Sequence, residues 1–163
     1  MNVEKLVAEI IPPNNRTHRE DFNNIPMLEK LTSAEKIEVE NNLTQKLNES
    51  NDSIDFLIVE TLAYLKSEKA LPVLYNKLKN DYDNKLTKLI IAVSIFEITM
   101  DNNIIGIAIN SVKTMDKWDL ISAFYYLSKF HNPLTNSVIE KYINNKDYLV
   151  SYNARRFYNF TLS

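Results

Sequence analysis

The densest polar functionality in the chain is the run Arg16-Thr17-His18-Arg19-Glu20-Asp21. A histidine can serve as an acid or base near neutral pH, and His18 has Asp21 one helical turn on to orient its ring. One histidine beside one aspartate at that spacing arises readily by chance, and neither a nucleophile nor a second acid accompanies the pair. A hydrogen-bonded cap or a recognition loop containing Arg16, His18 and Asp21 is therefore the stronger expectation. His131, the other histidine, precedes Asn132-Pro133 with no further ligand at close spacing. It reads as a turn residue and not as a metal ligand.

Aromatic residues gather late in the chain, from Trp118 to Phe160. Phe124, Phe130, Phe157 and Phe160 keep the register of the apolar residues around them, so they are assigned to the core. Tyr125, Tyr126 and Tyr158 fall off that register, and Arg155 and Arg156 lie in the same final stretch as Tyr158. Tyr126, Arg155, Arg156 and Tyr158 are expected as surface anchors, because tyrosine and arginine dominate protein-binding hot spots. The same mixture can hold single-stranded nucleic acid. Four arginines in the whole chain and no basic stripe along successive helices disfavour that use.

What is missing narrows the chemistry further. The single glycine, Gly106, leaves no glycine-rich loop to cradle a phosphate, and no nucleophile elbow or paired metal-ligand motif occurs. With no cysteine there is no disulfide, thiolate nucleophile or cysteine zinc site. No catalytic residue, metal or cofactor is therefore expected, and no residue pattern names a small-molecule ligand.

These residues must be positioned by helices. Apolar side chains recur every three or four residues, as in Val59-Leu62-Leu65, and the whole set recurs every 30–33 residues. Val59, Leu62, Leu65, Leu74 and Leu78 mark one unit; Ala92, Ile95, Ile98 and Ile107 mark the next, with Ser111 where a fifth apolar residue was due. Phe124, Leu127, Phe130, Ile139 and Ile143 follow, and Ala154, Phe157 and Phe160 open another. Leu43 and Leu47 belong to an earlier one. A fixed period of this length implies stacked helical units, none able to bury its apolar face alone. The spacing predicts helices over 34–48, 53–66, 69–80, 85–100, 102–114, 117–130, 133–144 and 147–161, with a further one over 2–10. Their starts are marked by the capping box Thr32-Ser-Ala-Glu35, by Asp52, Ser67, Asp101, Asp116 and Asp147, and by Asn132-Pro133. Thr17-His-Arg-Glu20 is a second candidate capping box. Residues 1–32, with Pro12, Pro13 and Pro26, are expected to cover the exposed end of the first repeat.

The stretch Thr61-Leu-Ala-Tyr-Leu-Lys-Ser-Glu-Lys-Ala-Leu-Pro-Val-Leu74 resembles the turn between the two helices of a HEAT-like (armadillo-type) repeat. Asp147-Tyr-Leu-Val-Ser-Tyr-Asn-Ala154 resembles the start of that family's first helix. The likeness covers about residues 34–161. It departs from the family in its period, shorter than the roughly 40–47 residues of long units, and in having Asn or Ser where turn glycines are common. It implies an all-α, right-handed α-solenoid of antiparallel helix pairs: about four short repeats over 33–163 behind an irregular cap over 1–32, in a single domain. The family's second helices typically line a concave binding face.

Bulk properties agree with a globular protein of one domain: 163 residues, 45% hydrophobic and 25% charged, with net charge −2. Residues 1–60 hold twelve acidic and six basic residues, and the remainder nine acidic and thirteen basic. No stretch approaches the roughly 20 apolar residues that span a bilayer, and the acidic start lacks the features of a signal peptide. The expectation is a non-catalytic protein-binding scaffold or adaptor of the bacterial cytosol, with an immunity- or inhibitor-type role as its narrower form. Its partner is a protein and not a membrane. The alternative is a HEAT-like repeat enzyme or nucleic-acid-binding repair protein, of the lyase or DNA-alkylation-repeat type.

Overall fold

A computed structural model of the protein describes residues 2–51 and 53–159. Among these residues the chain is all-helical, with eleven α-helices, one 3-10 turn and no strand. No helix among them is long and apolar enough to cross a membrane. The chain divides into two compact units, one through Val73 and the other from Leu74 onward.

The first unit contains α1 (Val3–Ile10), α2 (Arg16–Arg19), α3 (Ile25–Glu29), α4 (Ser33–Glu49), α5 (Phe56–Tyr64) and a 3-10 turn, Glu68–Ala70. Helix α4 is its centre and packs against α1, α5 and the 3-10 turn. Val39, Leu43 and Leu47 stand at i, i+4 and i+8 on α4, so they fall on one face, and all three are buried. The capping box at its start is formed as expected: Thr32 Oγ1 accepts from the Glu35 amide at 3.3 Å and Glu35 accepts from the Thr32 amide at 2.8 Å.

Polar contacts of long sequence reach tie the irregular N-terminal segment down. The Arg19 guanidinium donates to both carboxylate oxygens of Asp55, at 2.6 and 2.7 Å, and to the Pro12 carbonyl. Asp55 in turn caps α5 by accepting from the Leu57 amide. The buried Asn24 amide donates to Thr61 Oγ1 at 2.8 Å and to the Ile10 carbonyl. The expected cap at Asp52 lies outside the described residues; Asp55 holds the role for α5. Nor is Thr17-Glu20 a capping box. Asn15 caps α2, and Glu20 pairs with Arg16 one turn back, because a helix of four residues ends before Glu20 could return to its start.

The boundary between the units falls inside α6 (Leu71–Leu78). The second unit continues with α7 (Leu86–Thr99), α8 (Ile104–Val112), α9 (Lys117–Ser128), α10 (Pro133–Glu140) and α11 (Tyr148–Phe157). Every residue from Leu89 to Phe96 is buried, more than two turns of α7, so this stretch has no solvent face. It packs on α8 and α9; α9 packs on α10 and α11, and α8 also packs on α10. Phe96 and Phe130 lie with ring centroids 4.8 Å apart in this core, and Phe124 meets Tyr142 at 5.3 Å.

Most residues of the repeating apolar set are buried, including Leu62, Leu74, Leu78, Leu127 and Phe130. Leu65, Ile98, Ile143 and Phe157 are half-buried. Ile107 departs from the set: it is 38% exposed. The turns also differ from a glycine-based pattern. Lys66, Met100 and His131 adopt left-handed φ values of 56°, 56° and 46°, just beyond the ends of α5, α7 and α9.

Two stability measurements follow, both by chemical unfolding. Phe130→Ala removes the ring facing Phe96 and leaves a cavity, and should cost about 3–5 kcal/mol. Asn24→Ala strands the Ile10 carbonyl and should cost about 1–3 kcal/mol.

Candidate partner-binding surface

Helices α9 and α11 lie side by side and carry the most exposed aromatic residues among those described. Each begins at an aspartate. Asp116 accepts from the amides of Trp118 and Asp119, and Asp147 from those of Leu149 and Val150. Capping leaves the first-turn aromatics, Trp118 and Tyr148, pointing away from the buried face that begins at Leu120 on α9 and Val150 on α11. They are 66% and 75% exposed. Tyr152, one turn beyond Tyr148, stacks on it with centroids 6.0 Å apart, and Tyr125 lies two turns beyond Trp118.

Cations hold this surface together. Lys117 donates to Asp147 Oδ2 at 2.6 Å, joining the starts of the two helices, and its ammonium stands 4.9 Å from the centre of the Trp118 ring. The far ends are joined by the edge-to-face pair of Tyr125 and Phe157, at 5.6 Å. Lys129 sits 5.1 Å above Tyr125 and 5.9 Å above Tyr126, and pairs with Glu97 at 3.4 Å. The Asp147 carboxyl is held below its ordinary range, chiefly by the Lys117 hydrogen bond and then by the α11 amides. Asp119 moves the other way, raised by partial burial and by the neighbouring Asp116 charge.

The residues singled out in the sequence fall in both units: Arg16, His18 and Asp21 in the first, and Tyr126, Arg155, Arg156 and Tyr158 in the second. Arg16 is exposed and forms a two-point pair with Glu20. His18 is exposed, and its Nδ1 lies 2.7 Å from Asn15 Oδ1, so the ring is oriented by the α2 cap and not by Asp21. Asp21 occupies a left-handed turn at φ 58°. Among the described residues no group of three His, Cys, Asp or Glu side chains is placed to hold a metal ion.

Tyr126 is half-buried beside Tyr125, with centroids 5.1 Å apart. Arg155 donates to the Ile143 carbonyl at 2.7 Å and so completes the end of the preceding segment. Arg156 is exposed, with its guanidinium over the Phe157 ring. Tyr158 is buried, contrary to the surface position expected for it. The helix ends at Phe157, and Tyr158 is extended at φ −66°, ψ 129°, so the helical register no longer governs its direction.

Sequence reasoning passed over Trp118, Tyr148 and Tyr152 as anchors. A signal was present: two of them follow capping aspartates within the first turn, and Tyr148 and Tyr152 share a face at i, i+4. No family model, curated protein or solved structure matches the chain.

Asp147 sets an acid-sensitive joint. Because its carboxyl is depressed in the folded state, the stabilisation is complete above the ordinary aspartate range and is lost as pH falls through the depressed value. Asp147→Asn should lower the melting temperature at neutral pH and flatten its fall on acidification, as followed by thermal melts across the acid range.

Proposed function

We propose that this chain is a non-catalytic protein-binding scaffold, built as a right-handed α-solenoid of short HEAT-like repeats. The observation that carries the binding role is the exposed aromatic surface of α9 and α11. Trp118, Tyr125, Tyr148 and Tyr152 are each more than 40% exposed. Large aromatics displayed together, set in place by ion pairs and with polar edges, are the composition of a protein-binding hot spot. Basic residues surround them, six against three acidic between residues 117 and 159, so an acidic partner surface is favoured.

Two features support the repeat reading. Helices α7, α9 and α11 neighbour one another in order, as α8 and α10 do, which is the contact pattern of stacked helix pairs. Left-handed residues also follow α5, α7 and α9 at Lys66, Met100 and His131, in steps of 34 and 31 residues, close to the apolar period of 30–33. An immunity- or inhibitor-type protein of the bacterial cytosol is the narrower form of this reading. It rests on the analogy with small, acidic, cysteine-free repeat proteins.

Affinity capture from soluble extract of the source cells, compared between the native chain and a Trp118→Ala/Tyr148→Ala/Tyr152→Ala variant, tests the role. Loss of one stoichiometric protein partner is expected, with binding weakened by about 2 kcal/mol or more. Melting behaviour should change little, since all three rings are exposed. Equal capture by both proteins would refute the surface. Steeply salt-dependent binding of single-stranded or damaged DNA, abolished by Arg155→Ala/Arg156→Ala, would establish the nucleic-acid alternative instead.

A further inference from the structure

A second feature lies apart from the aromatic surface, at the start of α7 and along α8. Here the second unit contains a half-open cleft of about 530 Å³. That is within the roughly 300–1,000 Å³ typical of small-molecule sites. The cleft opens where the apolar repeat fails. Ser111 stands in place of the fifth apolar residue, and Ile107, apolar but exposed, forms part of the wall instead of the core.

Its charge comes from Lys85 and Lys88, three residues apart and therefore on one side of the first turn of α7. Among the described residues Lys85 forms no ion pair. Lys88 is paired with Asp81 at 3.3 Å, but the Asp81 side chain is fully exposed, and such a pair is weak enough for the ammonium to turn toward a ligand. The positive end of the α7 dipole adds to the same field. Asp81 is the one carboxylate among the lining residues, which leaves the lining itself positive; Asp119, outside the lining, also feels the Lys85 charge.

The remaining wall selects for hydroxyl groups. Ser111 donates its own proton to the Ala108 carbonyl at 2.7 Å, and the Tyr82 hydroxyl donates to the Lys77 carbonyl at 2.9 Å. The Ser111 oxygen therefore keeps lone pairs for a donor from a ligand. Asn110 and Thr114 add donors and acceptors beside them. The cations are lysines, and no arginine is present. A planar carboxylate is best met by the two-pronged arginine, whereas lysine binds phosphate as a point charge.

We infer that this cleft binds a small hydroxylated phosphate ester of the sugar-phosphate class, with the phosphate between Lys85 and Lys88 and the hydroxyls against Asn110, Ser111 and Thr114. This site is independent of the protein-binding surface, and either can exist without the other.

The test is titration of the isotopically labelled full chain, followed by amide NMR, with ribose 5-phosphate, ribose and inorganic phosphate as separate probes. Ribose 5-phosphate should give saturable shifts at Leu86, Lys88 and Ser111. Lys85→Ala/Lys88→Ala should weaken it at least about tenfold, the loss expected for a charge-assisted hydrogen bond. Ribose alone and inorganic phosphate alone should each bind about tenfold more weakly than the ester, because each makes only half of the contacts. Both lysines reach solvent, so the variant should keep its helical circular dichroism. If the variant unfolds, Lys85→Gln alone serves as the comparison. Absence of saturable shifts at millimolar ester, shifts that survive both lysine replacements, or equal affinity for inorganic phosphate would each overturn the inference.

Discussion

A helix with no polar face cannot exist at a protein surface, and α7 imposes that constraint on the second unit. From Leu89 to Phe96 it buries residues on all sides, including Ser94, so other helices must surround it before it is stable. Helices α8 and α9 supply part of that enclosure. The cover extends from α9 to α10 and α11, with Phe130 meeting Phe96 of α7 and Phe124 meeting Tyr142 just beyond α10. The aromatic surface is thus on the outside of helices whose inner faces are already committed to the core. Its rings cannot retreat inward, because Leu120, Ala123, Phe124 and Leu127 occupy that space on α9.

The first unit solves a different problem. Residues 11–24 have few apolar residues in regular register, and polar contacts of long reach hold them instead. The Arg19–Asp55 pair joins the segment to the very residue that caps α5, so one carboxylate both starts a helix and anchors a loop. Asn24 does the same work for a buried carbonyl and hydroxyl. Exchange of the amide for an apolar group would leave a buried acceptor without this donor, and exchange of the guanidinium would do the same to part-buried ones, the costly side of hydrogen-bond energetics.

Local chemistry made the helices legible in the sequence. Thr32, Asp116, Asn132 and Asp147 each accept from amides of the first turn, so the starts of α4, α9, α10 and α11 follow from side chain and backbone a few residues apart. The i, i+4 pattern likewise places Leu43, Leu62, Leu74 and Leu127 inside. Interactions that join distant residues were not legible. Arg19 and Asp55 are 36 positions apart, and nothing in either residue's surroundings names the other. The same holds for the candidate surface: Lys117 meets Asp147 across 30 positions, so the aromatic rings of α9 and α11 become neighbours only in the fold. Tyr158 shows the complementary failure, where a periodic argument was carried one residue past the helix that justified it.

Lys66, Met100 and His131 share a backbone conformation without sharing a residue type, and all three side chains are exposed. A left-handed residue with a Cβ is strained by roughly 1–2 kcal/mol, so the turn is imposed by its flanks: the helix behind it and the helical segment ahead. Conformation stored in the flanks frees the residue in the middle. These outward corners can therefore carry a cation, a thioether or an imidazole to the surface without altering the path of the chain.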